Sequence, residues 1–215
     1  MKLLRYGPKG DEKPGTLDAE GRIRDLSGVV ADITPEQLYG PALAALKAID
    51  PTSLPLVEGQ PRYGVPVKGS RKFIAIGLNF ADHAAESNLP IPAEPVVFTK
   101  AITCLNGPND DVIIPRGSEK TDWEVELGIL DMWLDLNGQR MQTGNTKTMI
   151  FGVAEIVSYL SEFMTLEPGD LITTGTPPGV GLGQKPPLYL KPGDTVRLGI
   201  QKLGEQGQTF VEWKR

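Results

Sequence analysis

A run of short, strand-like segments from Lys72 onward limits the fold more than any other feature of this sequence. The segments are rich in branched and aromatic residues, and Gly, Pro or Asn separates them. In chain order they are KFIAIG, PVVFTK, DVIIP, WEVELGI, LITT, TVRLGI and TFVEW. One helix interrupts them, because apolar residues at helical spacing predict a helix from Thr146 to about Met164. The order predicts a β-rich α+β domain.

The preceding residues have a different pattern and predict a small appendage. A strand is expected at Lys2–Tyr6 and a hairpin in GTLDAEGRIRDL. The N-cap Thr34, followed by proline, opens a helix expected to run to about Ile49. The proline-rich, aperiodic stretch after this helix indicates a linker. We therefore expect a small N-terminal β/α domain and linker over residues 1–66 and a catalytic domain over residues 67–215.

Composition and charge exclude several classes of protein. A formal net charge of -5 argues against nucleic-acid binding, which needs a positive surface. The N-terminus soon turns polar and no apolar run approaches a membrane span, so we expect neither a signal peptide nor a membrane partner. Cys104 is the single cysteine, which excludes an internal disulfide and favours a structural role over thiol catalysis. A cytoplasmic location is expected.

Three carboxylates alternate with apolar residues in DWEVELGI. The two-residue period of a strand places Asp122, Glu124 and Glu126 on one face, where like charges repel. The face is either a solvated strand edge or a cation site. Same-face neighbours lie about 6.6 Å apart, which two glutamates can bridge to one ion, whereas Asp122 lies about 13 Å from Glu126 and should not share it. All-oxygen ligation would select Mg²⁺ or Mn²⁺.

His83 is the single histidine, so any imidazole base in this chain must be this residue. Glu86 follows three residues later, and a helical turn from Ala81 to Ser87 would make the two side chains face the same way. A carboxylate there can orient the ring and raise its basicity. A surface histidine with an incidental acidic neighbour remains the alternative.

The segment ITTGTPPGVGLGQK follows a strand and is rich in glycine. It lacks the Gly-Lys-Ser/Thr of a phosphate-binding loop, and prolines stand where a nucleotide-binding helix would begin, which excludes nucleotide binding. Backbone N–H groups, such as that of Gly175, and the Thr176 hydroxyl can still surround a substrate carboxylate.

Three segments in this order resemble the fumarylacetoacetate hydrolase family: IGLNFADHAAE, TDWEVELG and LNGQRMQTGNTKTMIFGVAEIVSYLS…LEPGDLITTGTPPGVG. The resemblance covers nearly all of the chain from about Lys72. It implies a roll of mixed β-sheets, a homodimer, and Mg²⁺ or Mn²⁺ held by Glu124 and Glu126. It also implies that His83 and Glu86 activate water and that Thr176 contacts the carboxylate of a small oxo-acid substrate.

Two further stretches, NLPIPAEPVVFTK and MQTGNTKTMIF, resemble bacterial hydrolases of 2,4-diketo-3-deoxy sugar acids. The resemblance implies a Mg²⁺-dependent hydrolase that cleaves a C–C bond of 2,4-diketo-3-deoxy-L-rhamnonate or -fuconate, giving pyruvate and lactate. Three alternatives stay open: an oxaloacetate-type decarboxylase, a ureidoglycolate lyase-like enzyme, and an inactive family member that only binds metal or ligand.

One departure from the family pattern lies between Ile129 and Leu130. Family members carry several dozen residues there, including a third carboxylate ligand, an aspartate, and a lysine near the substrate. The chain has either a true deletion, which would leave it inactive, or a segment that the printed sequence omits. We favour omission, because deletion of core strands beside an active site should prevent folding. A Cα separation well above about 3.8 Å between these two residues would establish it.

Overall fold

The computed structural model describes residues 1–126 and 130–214. The chain divides into two compact units, and each is described by itself. The smaller unit comprises Met1–Phe73, Ala101–Asn109 and Leu166–Leu171, and the larger comprises Ile74–Lys100, Asp110–Thr165 and Ile172–Arg215. The domain boundary predicted at residue 66 stays a prediction.

The smaller unit is built on an antiparallel sheet in the order β1-β2-β3. Its strands are β1 (Lys2–Tyr6), β2 (Lys13–Leu17) and β3 (Ile23–Asp25). The predicted hairpin joins β2 to β3, and the Asp18 carboxylate closes its turn by accepting the backbone N–H groups of Glu20 and Arg22. Leu26, Ile33 and Leu46 form the buried core of this unit.

The helix predicted from Thr34 to Ile49 is wrong in its continuity. A 3₁₀ turn spans Pro35–Leu38, and helix α1 covers Gly40–Lys47, with Tyr39 extended between them. Pro41 is the cause, because proline disfavours helical geometry in the preceding residue and supplies no N–H group. Gly40 accommodates the break with φ of 54°.

A five-stranded mixed sheet in the order β6-β11-β10-β7-β8 forms the larger unit's main layer, with β6 and β11 parallel and the other pairs antiparallel. A second sheet has the order β5-β4-β9. The strands are β4 (Phe73–Gly77), β5 (Val96–Thr99), β6 (Val112–Ile114), β7 (Asp131–Leu136), β8 (Gln139–Asn145), β9 (Leu171–Thr173), β10 (Thr195–Ile200) and β11 (Gly204–Glu212). The β-rich α+β class is therefore confirmed.

The hairpin of β7 and β8 was not predicted. Asn137 and Gly138 form its turn with φ of 50° and 81°, the left-handed geometry of a type I′ turn. The Asn-Gly pair between two alternating segments was the signal that could have revealed it. β7 buries Met132, Leu134 and Leu136 in the main core.

The predicted helix of the larger unit and the helical turn considered around His83 are both present. Helix α2 covers Ala81–Glu86, so the condition for His83 and Glu86 to face the same way is met. Helix α3 covers Val153–Phe163, so its predicted start at Thr146 is wrong. The buried Asn79 side chain explains the late start, because it bonds both the N–H and the C=O of Phe151 and holds that residue outside a helix. Within residues 1–126 and 130–214, no helix is long and apolar enough to cross a bilayer.

Candidate active site

The segment Asp122–Glu126 carries the acidic residues of the site. Trp123 and Val125 are 3% and 0% exposed and enter the main core, whereas Glu124 is exposed and Glu126 half-buried. The predicted alternation is therefore confirmed, but the predicted strand is wrong, because this segment belongs to no sheet among the described residues. The expected continuation of the strand and the Ile129–Leu130 separation lie outside the described residues.

Two side chains supply the hydrogen-bond partners that a neighbouring strand would otherwise give to the backbone of Val125. Its N–H donates to Gln142 Oε1 at 3.0 Å, and its C=O accepts the Thr176 hydroxyl at 3.0 Å. Gln142 Nε2 in turn donates to Thr176 Oγ1 and to the carbonyl of Pro177, both at 2.8 Å. Gln142 is fully buried, so its amide ties the acidic segment to the glycine-rich loop.

The carboxyl groups of Glu124 and Glu126 interact directly. Although Glu124 is exposed as a residue, burial of its carboxyl group and then repulsion from Glu126 raise its pKa to about 7. Glu126 accepts two hydrogen bonds. The Lys100 ammonium group donates to Oε1 at 3.1 Å, and the N–H of Gly175 donates to Oε2 at 3.0 Å. Glu126 is therefore held by two hydrogen bonds, and its carboxylate repels that of Glu124.

Lys100 is a site residue that the sequence did not reveal. It directly follows β5, 26 residues before its partner Glu126, and no spacing rule connects the two positions. Its charge also lowers the pKa of Glu124, against the larger effects of burial and Glu126. Lys100 therefore offsets part of the negative charge of both glutamates.

His83 and Glu86 face the same way from α2, as predicted. His83 Nδ1 lies 3.2 Å from Glu86 Oε2, and both side chains are largely buried. The N–H of Gly179 contacts both carboxylate oxygens of Glu86, at 3.0 and 3.1 Å. An ionised carboxylate only accepts hydrogen bonds, so a hydrogen bond across this distance requires a proton on Nδ1 and, in a neutral imidazole, leaves Nε2 as the basic atom.

The glycine-rich loop is braced from the acidic segment. Asp122 accepts the N–H groups of Gly181 and Leu182 at 2.6 and 2.8 Å, and the Trp123 indole N–H donates to Gly179 at 3.1 Å. Asp122 thus holds the loop, and its exclusion from the cation site stays a prediction.

The two residues predicted to bind substrate, Gly175 and Thr176, make internal hydrogen bonds. The N–H of Gly175 donates to Glu126, and the buried Thr176 hydroxyl donates to the Val125 carbonyl. Their contact with a substrate carboxylate stays a prediction.

One loop therefore connects two chemically different pairs of side chains. It donates N–H groups to Glu126 from Gly175 and to Glu86 from Gly179. The His83/Glu86 pair, which could act as a general base, and the Glu124/Glu126 pair, which could hold a hard cation, are thereby attached to the same short stretch of chain. Across the described part of the chain, no group of three or more His, Cys, Asp or Glu side chains could hold a metal ion.

A family model matches the larger part of the chain, and a curated relative matches all of it. The family model described as fumarylacetoacetate (FAA) hydrolase C-terminal matches residues 72–131 and 129–211. A curated relative, 2,4-didehydro-3-deoxy-L-rhamnonate hydrolase from Sphingomonas sp. strain SKA58, is 49% identical over 282 residues that cover 100% of this chain and 97% of the relative. Because the chain has 215 residues, at least 67 of those positions have no residue of this chain.

Two solved structures share the fold. Fumarylacetoacetate hydrolase from psychrophilic Exiguobacterium antarcticum is 24% identical, with a TM-score of 0.84 over 99% of this chain and 100% of that one. Maleylpyruvate hydrolase from Sphingobium sp. SYK-6, solved with manganese(II) and pyruvate, is 22% identical, with a TM-score of 0.76 over 100% of both chains.

The two stretches matched by the family model meet at residues 129–131, the position of the predicted interruption. The interruption itself stays a prediction. The full-length similarity to the Sphingomonas enzyme, the family-model match and the shared fold agree with the resemblance found in the sequence. The chain therefore belongs to the fumarylacetoacetate hydrolase family and is a hydrolase of that family.

Proposed function

We propose that the chain hydrolyses a C–C bond in a small 2,4-dioxo acid of the 2,4-diketo-3-deoxy-L-rhamnonate or -fuconate type, giving pyruvate and lactate. The observation that carries the proposal is the loop that bonds Glu86 through Gly179 and Glu126 through Gly175. It links a proton-accepting pair to a site that can bind an oxo acid through a cation. The name of the Sphingomonas relative supports the substrate class.

We further propose that Glu124 and Glu126 hold Mg²⁺ or Mn²⁺. The raised pKa of Glu124 is what a carboxylate pair short of positive charge should display, so the residues fit a hard cation. Mg²⁺ is commonly held by only one or two carboxylates, with water and substrate as its other ligands. The manganese in the maleylpyruvate hydrolase structure supports the use of a divalent cation.

The chain's own residues would then divide the work. His83 Nε2 takes a proton from the water that attacks the C4 carbonyl, while Glu86 stabilises the imidazolium through Nδ1–H. Lys100 and the loop N–H groups hold Glu126 in place. The bound cation would supply Lewis-acid polarisation of the substrate's carboxylate and 2-oxo oxygens and charge stabilisation for the departing pyruvate.

A product assay tests the proposal. The purified chain is incubated with 2,4-diketo-3-deoxy-L-rhamnonate and, separately, with oxaloacetate, each with Mg²⁺, Mn²⁺ or EDTA. Pyruvate and lactate from the sugar acid, lost with EDTA and in His83→Ala and Glu126→Ala, are expected. The exposed Glu119 provides the control variant Glu119→Ala, which should keep full activity.

Other outcomes identify the alternatives. Pyruvate and carbon dioxide from oxaloacetate alone would indicate a decarboxylase. No turnover of either acid, with metal binding retained, would indicate an inactive family member. The interruption between Ile129 and Leu130 favours that last alternative if it is a true deletion. The homodimer and the cytoplasmic location stay predictions.

A further inference from the structure

The glycines at 179, 181 and 183 are constrained by different neighbours. A Cβ atom at Gly179 would lie 2.0 Å from the Met141 carbonyl oxygen, and one at Gly181 would lie 1.9 Å from that of Leu188. Both positions therefore need glycine for the path of the backbone. A Cβ atom at Gly183 would have the Glu86 carboxylate as its three nearest atoms, with Cδ at 2.6 Å and the two oxygens at 2.8 and 2.9 Å.

Gly183 therefore leaves room for a side chain from another element. Its φ lies outside the left-handed region, so alanine fits its backbone conformation. The three described atoms nearest to such a Cβ all belong to the flexible end of Glu86, so a Gly183→Ala variant must displace that carboxylate. The space above Gly183 and the N–H of Gly179 together form a seat for the Glu86 carboxylate.

This seat fixes the direction in which Glu86 meets His83. The Gly179 N–H contacts both carboxylate oxygens, while Oε2 lies 3.2 Å from His83 Nδ1. The hydrogen bond at one ring nitrogen decides which nitrogen carries the proton. Without an acceptor at Nδ1, neutral imidazoles mainly carry the proton on Nε2, the atom that must be free to act as the base.

We propose that Gly183 is a positioning residue that selects the Nδ1–H tautomer of His83 by seating the Glu86 carboxylate. The proposal deepens the proposed function, since it concerns the base of that same site. Gly183 acts through Glu86 and needs no contact with substrate.

Nitrogen NMR tests the proposal. Because the chain has a single histidine, the two ring ¹⁵N signals of a protein without a polyhistidine tag belong to His83. At a pH where the ring is neutral, the wild-type chain should show a protonated Nδ1 and an unprotonated Nε2. In Gly183→Ala and in Glu86→Ala the pattern should reverse to mainly protonated Nε2.

The control is Gly207→Ala on the exposed surface of β11, where a Cβ atom would have no neighbour within 4 Å. It should keep the wild-type spectrum. A wild-type pattern in Gly183→Ala, with reversal in Glu86→Ala, would overturn the role of Gly183. A wild-type chain with protonated Nε2 would overturn the proposal altogether.

If Gly183→Ala does not fold, Glu86→Asp gives a second test. It keeps the charge but draws the carboxylate back by about 1.5 Å, one C–C bond, away from Gly179. Reversal of the tautomer is expected, and an unchanged spectrum would contradict the seat. The spectra are recorded without substrate, so an absence of turnover would count against the proposed function and leave this inference standing.

Discussion

Replacement of Glu124 by glutamine should stabilise the metal-free chain and weaken metal binding. Burial, and then repulsion from Glu126, raise the pKa of Glu124 from 4.5 to about 7. A difference of that size corresponds to about 3 kcal/mol in favour of the protonated form. Because Glu124 is exposed as a residue, solvent screening reduces this to about 1 to 2 kcal/mol.

Proton linkage gives the sign of the effect. The unfolded chain ionises Glu124 near the ordinary pKa of 4.5, whereas the folded chain retains the proton until about pH 7. The contribution of protonated Glu124 to the free energy of unfolding is therefore complete below the unfolded-state pKa of 4.5. It is lost as the pH rises through the folded-state pKa of about 7. Glutamine does not ionise, so Glu124→Gln should exceed the wild-type chain in stability by about 1 to 2 kcal/mol above neutral pH.

Urea unfolding in EDTA, near pH 5 and near pH 8, measures this difference, with Glu119→Gln as the exposed control. The gain should be largest near pH 8 and should shrink toward pH 5. Saturating Mn²⁺ should then stabilise the wild-type chain, by about 2.7 kcal/mol at a hundred times the dissociation constant, and Glu124→Gln by clearly less. A variant less stable than wild type near pH 8 in EDTA would refute the reasoning.

Three further predictions follow from contacts of the site. Gln142→Leu should lower the free energy of unfolding in urea by about 2 to 4 kcal/mol, because it leaves the buried Val125 N–H unpaired; a loss below about 0.5 kcal/mol would contradict this. Lys100→Met should tighten Mn²⁺ binding roughly fivefold in calorimetry, since it removes about 1 kcal/mol of competition for Glu126. The exposed Lys191 gives the control Lys191→Met, which should leave Mn²⁺ binding unchanged. Weaker binding in Lys100→Met would count against competition. Thr176→Val should cost about 1 to 2 kcal/mol in the same unfolding assay and Thr176→Ser much less; equal losses would show that the hydroxyl bond carries no stability.

Local residue spacing was sufficient to predict the side-chain directions of site residues that lie close together in the chain. The two-residue period placed Trp123 and Val125 in the core and the glutamates on the other face. The helical interval of three residues brought Glu86 to His83. Both rules depend on backbone geometry over one turn or one strand, which the sequence specifies directly.

Contacts between residues far apart in the sequence could not be predicted from residue spacing. Alternation reports that one face is buried, but it does not identify the partner, and here Gln142, 17 residues from Val125, replaced a strand. Asn79 delayed α3 by bonding Phe151 from 72 residues away. Such partners are decided by which side chains the fold brings together, and a single sequence carries no periodic signal for them.

The side chains of Gln142 and Thr176, which bond the Val125 backbone in place of a strand, affect how chain length near this segment can differ between family members. A strand held in a ladder transmits a change of length to its neighbours through the register of its hydrogen bonds. Val125 is held here by Gln142 and Thr176, and Glu126 by the loop, so the position of these two residues does not depend on the register of a ladder. The family-model stretches meet shortly after this point, and the Sphingomonas relative's alignment has at least 67 positions that this chain lacks. An acidic segment anchored from the side would allow a family to change the length of the chain that follows while the carboxylates keep their place.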